Sequence, residues 1–587
     1  MTDTPTLDRL RACSGRLSFA RFLGVELKQL TNAIYGLPYP TRYKSFTIPK
    51  ATGGDRTIHV PHNHLKFVQR ALATKLLDCL VEIDVRNDVK RPVSHAFQPK
   101  RSIFSNAWQH RGKRFVVNFD LEGFFPSLHF GRVYNFFLKG RDFQLNPTVA
   151  NLIANLATYR ETTGGTFLPQ GSPCSPVISN FLARPLDLRL RKLAHSHGCR
   201  YSRYADDLTF STNREEFPSE IAAYQANRGR WIAGAEFEHV VLRSGFRINH
   251  AKTRMAIQGT RQIVTGLVVN KQVSVNRDKY KWLRAASDSL FKKGFASRHD
   301  PQTVGVHTMA RPVNVRQLIG YADHVFHSRR YSNCDLLPFP NMKGPELLLK
   351  RLVYYERFFL NAHPLLICEG DTDPVYLKLA IFRHGHLFPN LSVQKDGSLP
   401  VRFLQFSKRI AQFTGLQGGS DQLKTFLQNW DSDISMVRQR RASNPVILLL
   451  DNDSGANGIM QVLRGKKIIK DDIKMVNHVY ASSNLYVVLT PVPDKHSKSC
   501  IEDFVDDTAK DFILNGKTFH PGGKVIYKGE PWSEAKHYGK RVLAEKVVGA
   551  NADKYDFSMF KPILARLDGV ISDYAGGIVG GSAITAA

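Results

Sequence analysis

Apolar residues along this chain follow two rhythms, and the change between them falls near Pro364. In the earlier part, Leu23, Leu27 and Leu30 recur at helical spacing before Gly36-Leu-Pro, so residues 1–45 are expected to form short amphipathic helices. Phe46-Thr-Ile-Pro and Thr57-Ile-His-Val flank Gly53-Gly54 as a strand pair, and a helix is expected over 65–80. A short apolar strand covers 114–120, a helix starts near Gly131, and a second strand–turn–strand covers 201–211. After Pro364, short continuous apolar runs alternate with helical patterns. Strands are expected at 365–368, 413–416, 446–450 and 486–489, with helices at 374–383, 421–430 and 458–463. That alternation predicts a mainly parallel sheet covered on both faces. No fixed-period repeat is visible, which sets aside solenoids and propellers.

Composition adds the partner class. The 587 residues are 42% hydrophobic and 23% charged, which excludes a disordered or collagen-like chain. The 82 Lys and Arg against 51 Asp and Glu leave a net charge of +31. Residues 1–360 hold 54 basic and 27 acidic side chains, whereas 361–587 hold 28 and 24. A polyanion is the natural partner of the front part, and nucleic acid is favoured over a membrane because no apolar run is long enough to span one. Seven scattered cysteines without a CxxC pair argue against a disulfide scaffold or a zinc site and suit a reducing cytoplasm. Residues 271–360, with 16 basic and 7 acidic side chains, read as a basic helical appendage with a loop at 338–344. The small-residue stretch 576–587 reads as a flexible tail.

Two front motifs carry chemistry, Asn118-Phe-Asp120-Leu-Glu-Gly-Phe-Phe125 and Tyr204-Ala-Asp-Asp207. Asp120 ends an apolar strand, and Asp206 and Asp207 fall at a strand–turn–strand tip. If those strands are neighbours the three carboxylates converge, which suits phosphoryl transfer with two Mg2+ ions. Asp-Asp in a tight turn is, taken alone, ordinary turn chemistry. Between the motifs lies Leu168-Pro-Gln-Gly-Ser-Pro, a loop able to present backbone N–H groups and Gln170 to a nucleotide.

Together with Ser244-Gly-Phe-Arg-Ile-Asn-His-Ala-Lys252 and Val264-Thr-Gly-Leu-Val-Val-Asn270, these motifs resemble, in order, those of reverse transcriptases. Asn106-Ala-Trp-Gln-His110 and Val264-Thr-Gly266 resemble two elements of retron reverse transcriptases in particular. The resemblance implies an α+β right-hand polymerase, with fingers and an antiparallel palm sheet over 1–270 and a thumb over 271–360. It implies Asp120, Asp206 and Asp207 as catalytic Mg2+ ligands, Phe125 as the gate against a ribose 2′-OH, and Gln170 at the incoming dNTP. Arg101 would face the triphosphate and Lys252 would lie near the phosphates. Asn106, His110, Val264, Thr265 and Gly266 would contact RNA, although a lone histidine such as His110 is more often structural. Such enzymes prime from a guanosine 2′-OH of their own structured noncoding RNA and make a branched RNA-linked DNA, the msDNA.

In the later part, the run 365–368 leads into Glu369-Gly-Asp371-Thr-Asp373, and 446–450 leads into Asp451-Asn-Asp453-Ser-Gly. The carboxyl ends of parallel strands share one sheet edge, so Glu369, Asp451 and Asp453 would meet there and need a cation. The ordinary alternative is that strand-end acids cap the next helices. The pattern resembles the Toprim domain, and Gly418-Gly-Ser-Asp-Gln-Leu with Ser499-Cys-Ile-Glu502-Asp503-Phe resembles its OLD-family version. This implies an α/β nuclease domain over 361–575 using one or two Mg2+ ions. Glu369, Asp451 and Asp453 would be catalytic ligands, Glu502 a further ligand, and Lys540 a basic residue at the cleaved phosphate.

The expected whole is a bacterial cytoplasmic retron polymerase bound to its RNA and msDNA, with a nuclease effector restrained by that complex in antiphage defence. The nuclease target (DNA, messenger RNA or transfer RNA), the trigger and homo-oligomer formation are left open. Two other readings stand beside it. One is a group II intron-like mobile-element enzyme, disfavoured by the lack of an HNH-type Cys/His module. The other is an RNA- or msDNA-binding scaffold whose Toprim domain is inactive.

Overall fold

The computed structural model describes residues 4–50, 54–88, 93–298, 311–332, 341–438, 442–469, 476–493, 497–522 and 525–577. The expected tail beyond residue 577, residues 338–340 of the expected loop at 338–344, and Gly53 lie outside these. Two compact units are present, Met1–Arg277 with His327–Cys334, and Asp278–Phe326 with Asp335–Ala587. The basic stretch 271–360 is therefore divided between them.

In the first unit, helices Thr6–Arg11, Arg16–Leu23 and Leu27–Tyr35 pack on the long helix Asn63–Arg86, burying Leu10, Phe19 and Leu30. An antiparallel hairpin, Tyr43–Pro49 with Asp55–Pro61, precedes that helix. The central sheet is antiparallel, in the order Arg254–Ile257, Phe115–Asp120, Asp207–Thr212, Arg200–Tyr204. One face buries Val117, Phe119, Leu208 and Phe210 in the main core. The other buries Val116 against Ala107, Val264 and Leu267. Both faces of Phe115–Asp120 are thus covered, which is why its sequence is apolar almost throughout.

The second unit is built on a five-stranded sheet in the order Arg402–Phe403, Leu365–Cys368, Val446–Leu450, Leu485–Leu489, Val479–Ser482. All neighbours are parallel except the last pair. Alternate residues enter two cores. Leu366, Cys368, Ile447 and Leu449 meet helices Asp373–His384 and Lys561–Ala575, whereas Ile367, Leu448 and Leu450 meet Ser420–Ile434 and Ala456–Gly465. The strand expected at 413–416 is instead the end of helix Lys408–Thr414. Ser407 caps that helix by accepting the Ile410 N–H at 3.2 Å, and Gly415 closes it at φ +77°. A four-residue apolar run carries too little periodicity to tell the two apart. The edge strands Arg402–Phe403 and Val479–Ser482 were not foreseen, nor was the pairing of Ala296–Arg298 with Arg311–Val313 inside the stretch expected to be helical. Among the described residues no helix is long and apolar enough to cross a membrane.

Candidate functional site

Register brings the front carboxylates together. Asp120 pairs directly with Asp207, and the Leu121 N–H donates to the Asp206 carbonyl at 3.0 Å. The hairpin closes through only Ala205 and Asp206, with Ala205 at φ +56°. All three aspartates line a cavity of about 1730 Å³ that also takes in Phe125, Gln170, Lys252, Thr265 and Gly266.

Burial raises the Asp206 carboxyl, and the charge of Asp120 raises it further. Asp207 is pushed up to about 7, by burial first and then by Asp206 and Asp120. Lys252 opposes both shifts, and Arg56 opposes that of Asp206. Acid groups crowded into one half-enclosed cleft, with the Asp206 and Asp207 carboxyls raised, are a donor set suited to divalent cations. Among the described residues no three His, Cys, Asp or Glu side chains form a ready-made cation shell. Lys252 Nζ instead contacts both oxygens of Asp120, at 3.0 and 3.1 Å.

The loop with Gln170 is fixed by its backbone, because the His59 N–H donates to the Gln170 carbonyl at 2.7 Å. The next residue, Gly171, sits at φ +118°, and a Cβ there would stand 2.6 Å from the His59 carbonyl oxygen. Only glycine permits that approach. The hairpin Tyr43–Pro49/Asp55–Pro61 also presents Lys50 and Arg56 to the cavity. Sequence reasoning missed both, and their only signal was basic residues flanking a hairpin turn. Arg101 is not brought there. It lines a separate cavity of about 450 Å³ with Phe97, Pro99 and Pro173, in the field of Asp84.

Of the residues expected to contact RNA, Asn106, His110 and Val264 are fully buried. His110 Nδ1 lies 2.7 Å from Ser211 Oγ, and its Nε2 lies 2.7 Å from Ser202 Oγ. The Ser202 hydroxyl donates to Asn106 Oδ1 at 2.6 Å. Burial pushes the His110 imidazole down to about 3, so it is neutral. These side chains bind helix Ile103–Trp108 to the sheet. Thr265 and Gly266, which line the cavity, form a left-handed turn at φ +45° and +80°, and Thr265 Oγ1 donates to the Ile103 carbonyl at 3.2 Å.

The second unit gathers its own acids. Glu369 Oε2 accepts the Asp451 N–H at 3.3 Å, and Asp451 Oδ1 accepts the Ile501 N–H at 2.9 Å. Lys540 Nζ contacts both Glu502 oxygens at 3.0 Å. Burial, then Asp373, Glu502 and Glu369, push Asp451 up to about 8. Burial, then Glu502, push Asp373 up to about 7. Glu369 is raised by burial and by Asp453, whose Oδ1 accepts the Gly455 N–H at 2.7 Å. Asp373, buried at the start of its helix, was not foreseen as part of this group. Its signal was its place at the start of the helix that follows the strand Leu365–Cys368.

Residues 48–284 match the family described as reverse transcriptase (RNA-dependent DNA polymerase). The chain is 38% identical over 277 residues to the retron Mx162 reverse transcriptase of Myxococcus xanthus, covering 44% of this chain and 54% of that protein. It is 32% identical over 254 residues to the retron Ec86 reverse transcriptase of Escherichia coli, covering 43% of this chain and 70% of that protein. The match thus spans little more than half the length of the Mx162 protein. A telomerase structure from Candida albicans aligns over 54% of this chain and 58% of its own, at 12% identity and a TM-score of 0.29.

Proposed function

Because this chain belongs to the retron reverse transcriptases, we propose that its front part is an RNA-directed DNA polymerase that copies its own structured noncoding RNA into branched, RNA-linked DNA. The observation that carries the reading is the pairing of Asp120 with Asp207 beside Asp206 in one large cavity. Asp120, Asp206 and Asp207 would hold two Mg2+ ions. Bound there, the ions would acidify the attacking hydroxyl and neutralise charge on the leaving pyrophosphate. Phe125, half-buried in the cavity wall, would narrow the space on the ribose side. The Gln170 loop, held by His59, gives the nucleotide a rigid seat, and Lys50, Arg56 and Lys252 offer cations to its triphosphate. Positioning and fixed charge supply most of the acceleration in such transfers. Basic helices in 271–360 serve as the thumb that follows duplex phosphates.

The second unit is read as a Toprim-like, OLD-type nuclease over 361–575, restrained by the RNA–DNA complex and released during phage infection. Support comes from the adjacency of Leu365–Cys368 and Val446–Leu450, which carry Glu369 and Asp451 to one sheet edge. Glu369, Asp373, Asp451, Asp453 and Glu502 would hold Mg2+, and Lys540 would face the cleaved phosphate.

Primer extension on an RNA template with dNTPs tests the first reading, and Asp206→Asn should abolish it. Sequencing the nucleic acid that copurifies should find a branched RNA–DNA, and its absence would count against the retron assignment. Mg2+-dependent cleavage by the full chain, lost in Glu369→Gln with primer extension intact, tests the second. Phage protection unaffected by Glu369→Gln would refute the effector role.

A further inference from the structure

Behind the turn that carries Asp206 and Asp207 lies a layer of buried polar side chains. Arg203 has no exposed surface, and its guanidinium forks onto Asp187, Nε to Oδ1 at 2.8 Å and Nη2 to Oδ2 at 2.7 Å. The Tyr201 hydroxyl donates to the same Oδ1 at 2.9 Å, and Nη2 also reaches Asn180 Oδ1 at 3.3 Å. The remaining terminal nitrogen, Nη1, donates to the Ala205 carbonyl at 3.0 Å. That carbonyl belongs to the peptide joining Ala205 to Asp206, so this contact sets the plane from which the Asp206 side chain departs.

The turn needs holding. A two-residue hairpin loop with positive φ at its first position ordinarily carries glycine there. Here the residue is Ala205 at φ +56°, a conformation that L side chains rarely adopt unless their surroundings impose it. Arg203 is itself immobile, because its N–H donates to the Val93 carbonyl at 2.9 Å and its carbonyl accepts the His95 N–H at 2.8 Å. Asn180 and Asp187 lie two turns apart on helix Ser175–Ser196, which follows directly on the Gln170 loop. One helix therefore braces both the nucleotide-side loop and the aspartate turn. Buried ion pairs add little net stability compared with apolar packing, so the use of this one is geometric.

We propose that Arg203 is the positioning residue of the polymerase site: anchored on Asp187, it clamps the Ala205 carbonyl, holds the strained turn, and thereby sets Asp206 and Asp207 for their cations. This inference rests on the polymerase reading of the front unit. Lysine keeps the charge but lacks the fork, so Arg203→Lys retains a cation opposite Asp187 and gives up the clamp. Glycine at 205 removes the strain that the clamp opposes.

The test uses the full chain and two readouts: kcat and KM for single-nucleotide incorporation, and Mn2+ binding followed by electron paramagnetic resonance. The Mn2+ signal is taken as the portion lost in Asp206→Asn. Arg203→Lys is expected to lower kcat about 30-fold and Mn2+ affinity about 10-fold, with KM for the dNTP within about twofold. Adding Ala205→Gly to Arg203→Lys is expected to restore about fivefold of the lost kcat. A kcat within twofold of wild type in Arg203→Lys, or no recovery in the double variant, overturns the proposal. Should Arg203→Lys fail to fold, Tyr201→Phe loosens the same anchor by one hydroxyl. It is expected to lower kcat about threefold at unchanged KM, and an unchanged kcat overturns the proposal. A wild-type chain that extends no primer refutes the polymerase reading instead. The Mn2+ comparison still decides the role of Arg203, because unchanged affinity in Arg203→Lys overturns it.

Discussion

Lys252 Nζ bridges the two carboxylate oxygens of Asp120 at 3.0 and 3.1 Å, and the same charge helps keep Asp206 and Asp207 ionised. In Lys252→Met, those two carboxyls lose an opposing cation and move further up. Their ionised form is the one that binds cations, so incorporation rises with pH through their titration. The acid limb of the pH–rate profile should therefore move to higher pH, by about half to one unit, when the methionine is introduced. A limb that stays in place, or moves down, would show that Lys252 acts only on substrate.

Gly171 meets the His59 carbonyl so closely that an added methyl group cannot be housed at φ +118° without moving the loop. Gly171→Ala should destabilise the protein by about 1–3 kcal/mol, as substitutions at incompatible positive φ do. Because the displaced loop carries Gln170 rather than the aspartates, KM for the dNTP should rise more than kcat falls. Steady-state incorporation kinetics and a thermal melt separate these two effects.

How far the sequence could be read follows from what each residue depends on. Leu365–Cys368 and Val446–Leu450 were legible to the residue because both sheet faces are buried, leaving an unbroken apolar run between polar ends. That the three front aspartates would lie together, and Glu369 with Asp451, was legible because they sit at strand ends, where register alone brings them together. Arg56 and Lys50 were not, since a basic hairpin looks the same whether it faces solvent or a cavity. His110 was given an RNA contact by resemblance alone, and its partners, Ser202 and Ser211, lie about a hundred positions downstream, where only the folded sheet delivers them. Arg203 next to the Tyr-Ala-Asp-Asp turn gave no hint of burial, for its partner Asp187 belongs to a different element.

Acid stability should report on His110. Its imidazole titrates near 3 in the fold because of burial, against about 6.5 in an unfolded chain. Between those values the unfolded state binds the proton and the folded state does not. Stability from this group is therefore complete above about pH 6.5 and is lost as pH falls toward 3, at up to about 1.4 kcal/mol per unit. Denaturant unfolding at pH 7 and pH 5 should show a smaller pH difference in His110→Gln than in wild type. An equal difference would mean that other groups govern the acid limb.

In the second unit, Asp373 and Asp451 are expected to act together. Both are raised, to about 7 and about 8, and each is pushed up partly by its acidic neighbours. Their folded values lie above the unfolded range near 4, so between pH 4 and 8 the folded state binds the extra protons and stability falls as pH rises. A divalent cation offsets that loss by neutralising the crowded charge, and it has more to offset once the acids are ionised. The rise in melting temperature on adding Mg2+ should therefore be larger at pH 8.5 than at pH 6, and chelation should reverse it. Asp373→Asn should shrink that rise and reduce Mg2+-dependent cleavage at least 100-fold, to the same degree as Asp451→Asn, while RNA-templated extension stays within about twofold. If Asp373→Asn leaves cleavage intact while Asp451→Asn abolishes it, Asp373 only ties down the turn before its helix, accepting the Gly370 N–H at 2.8 Å.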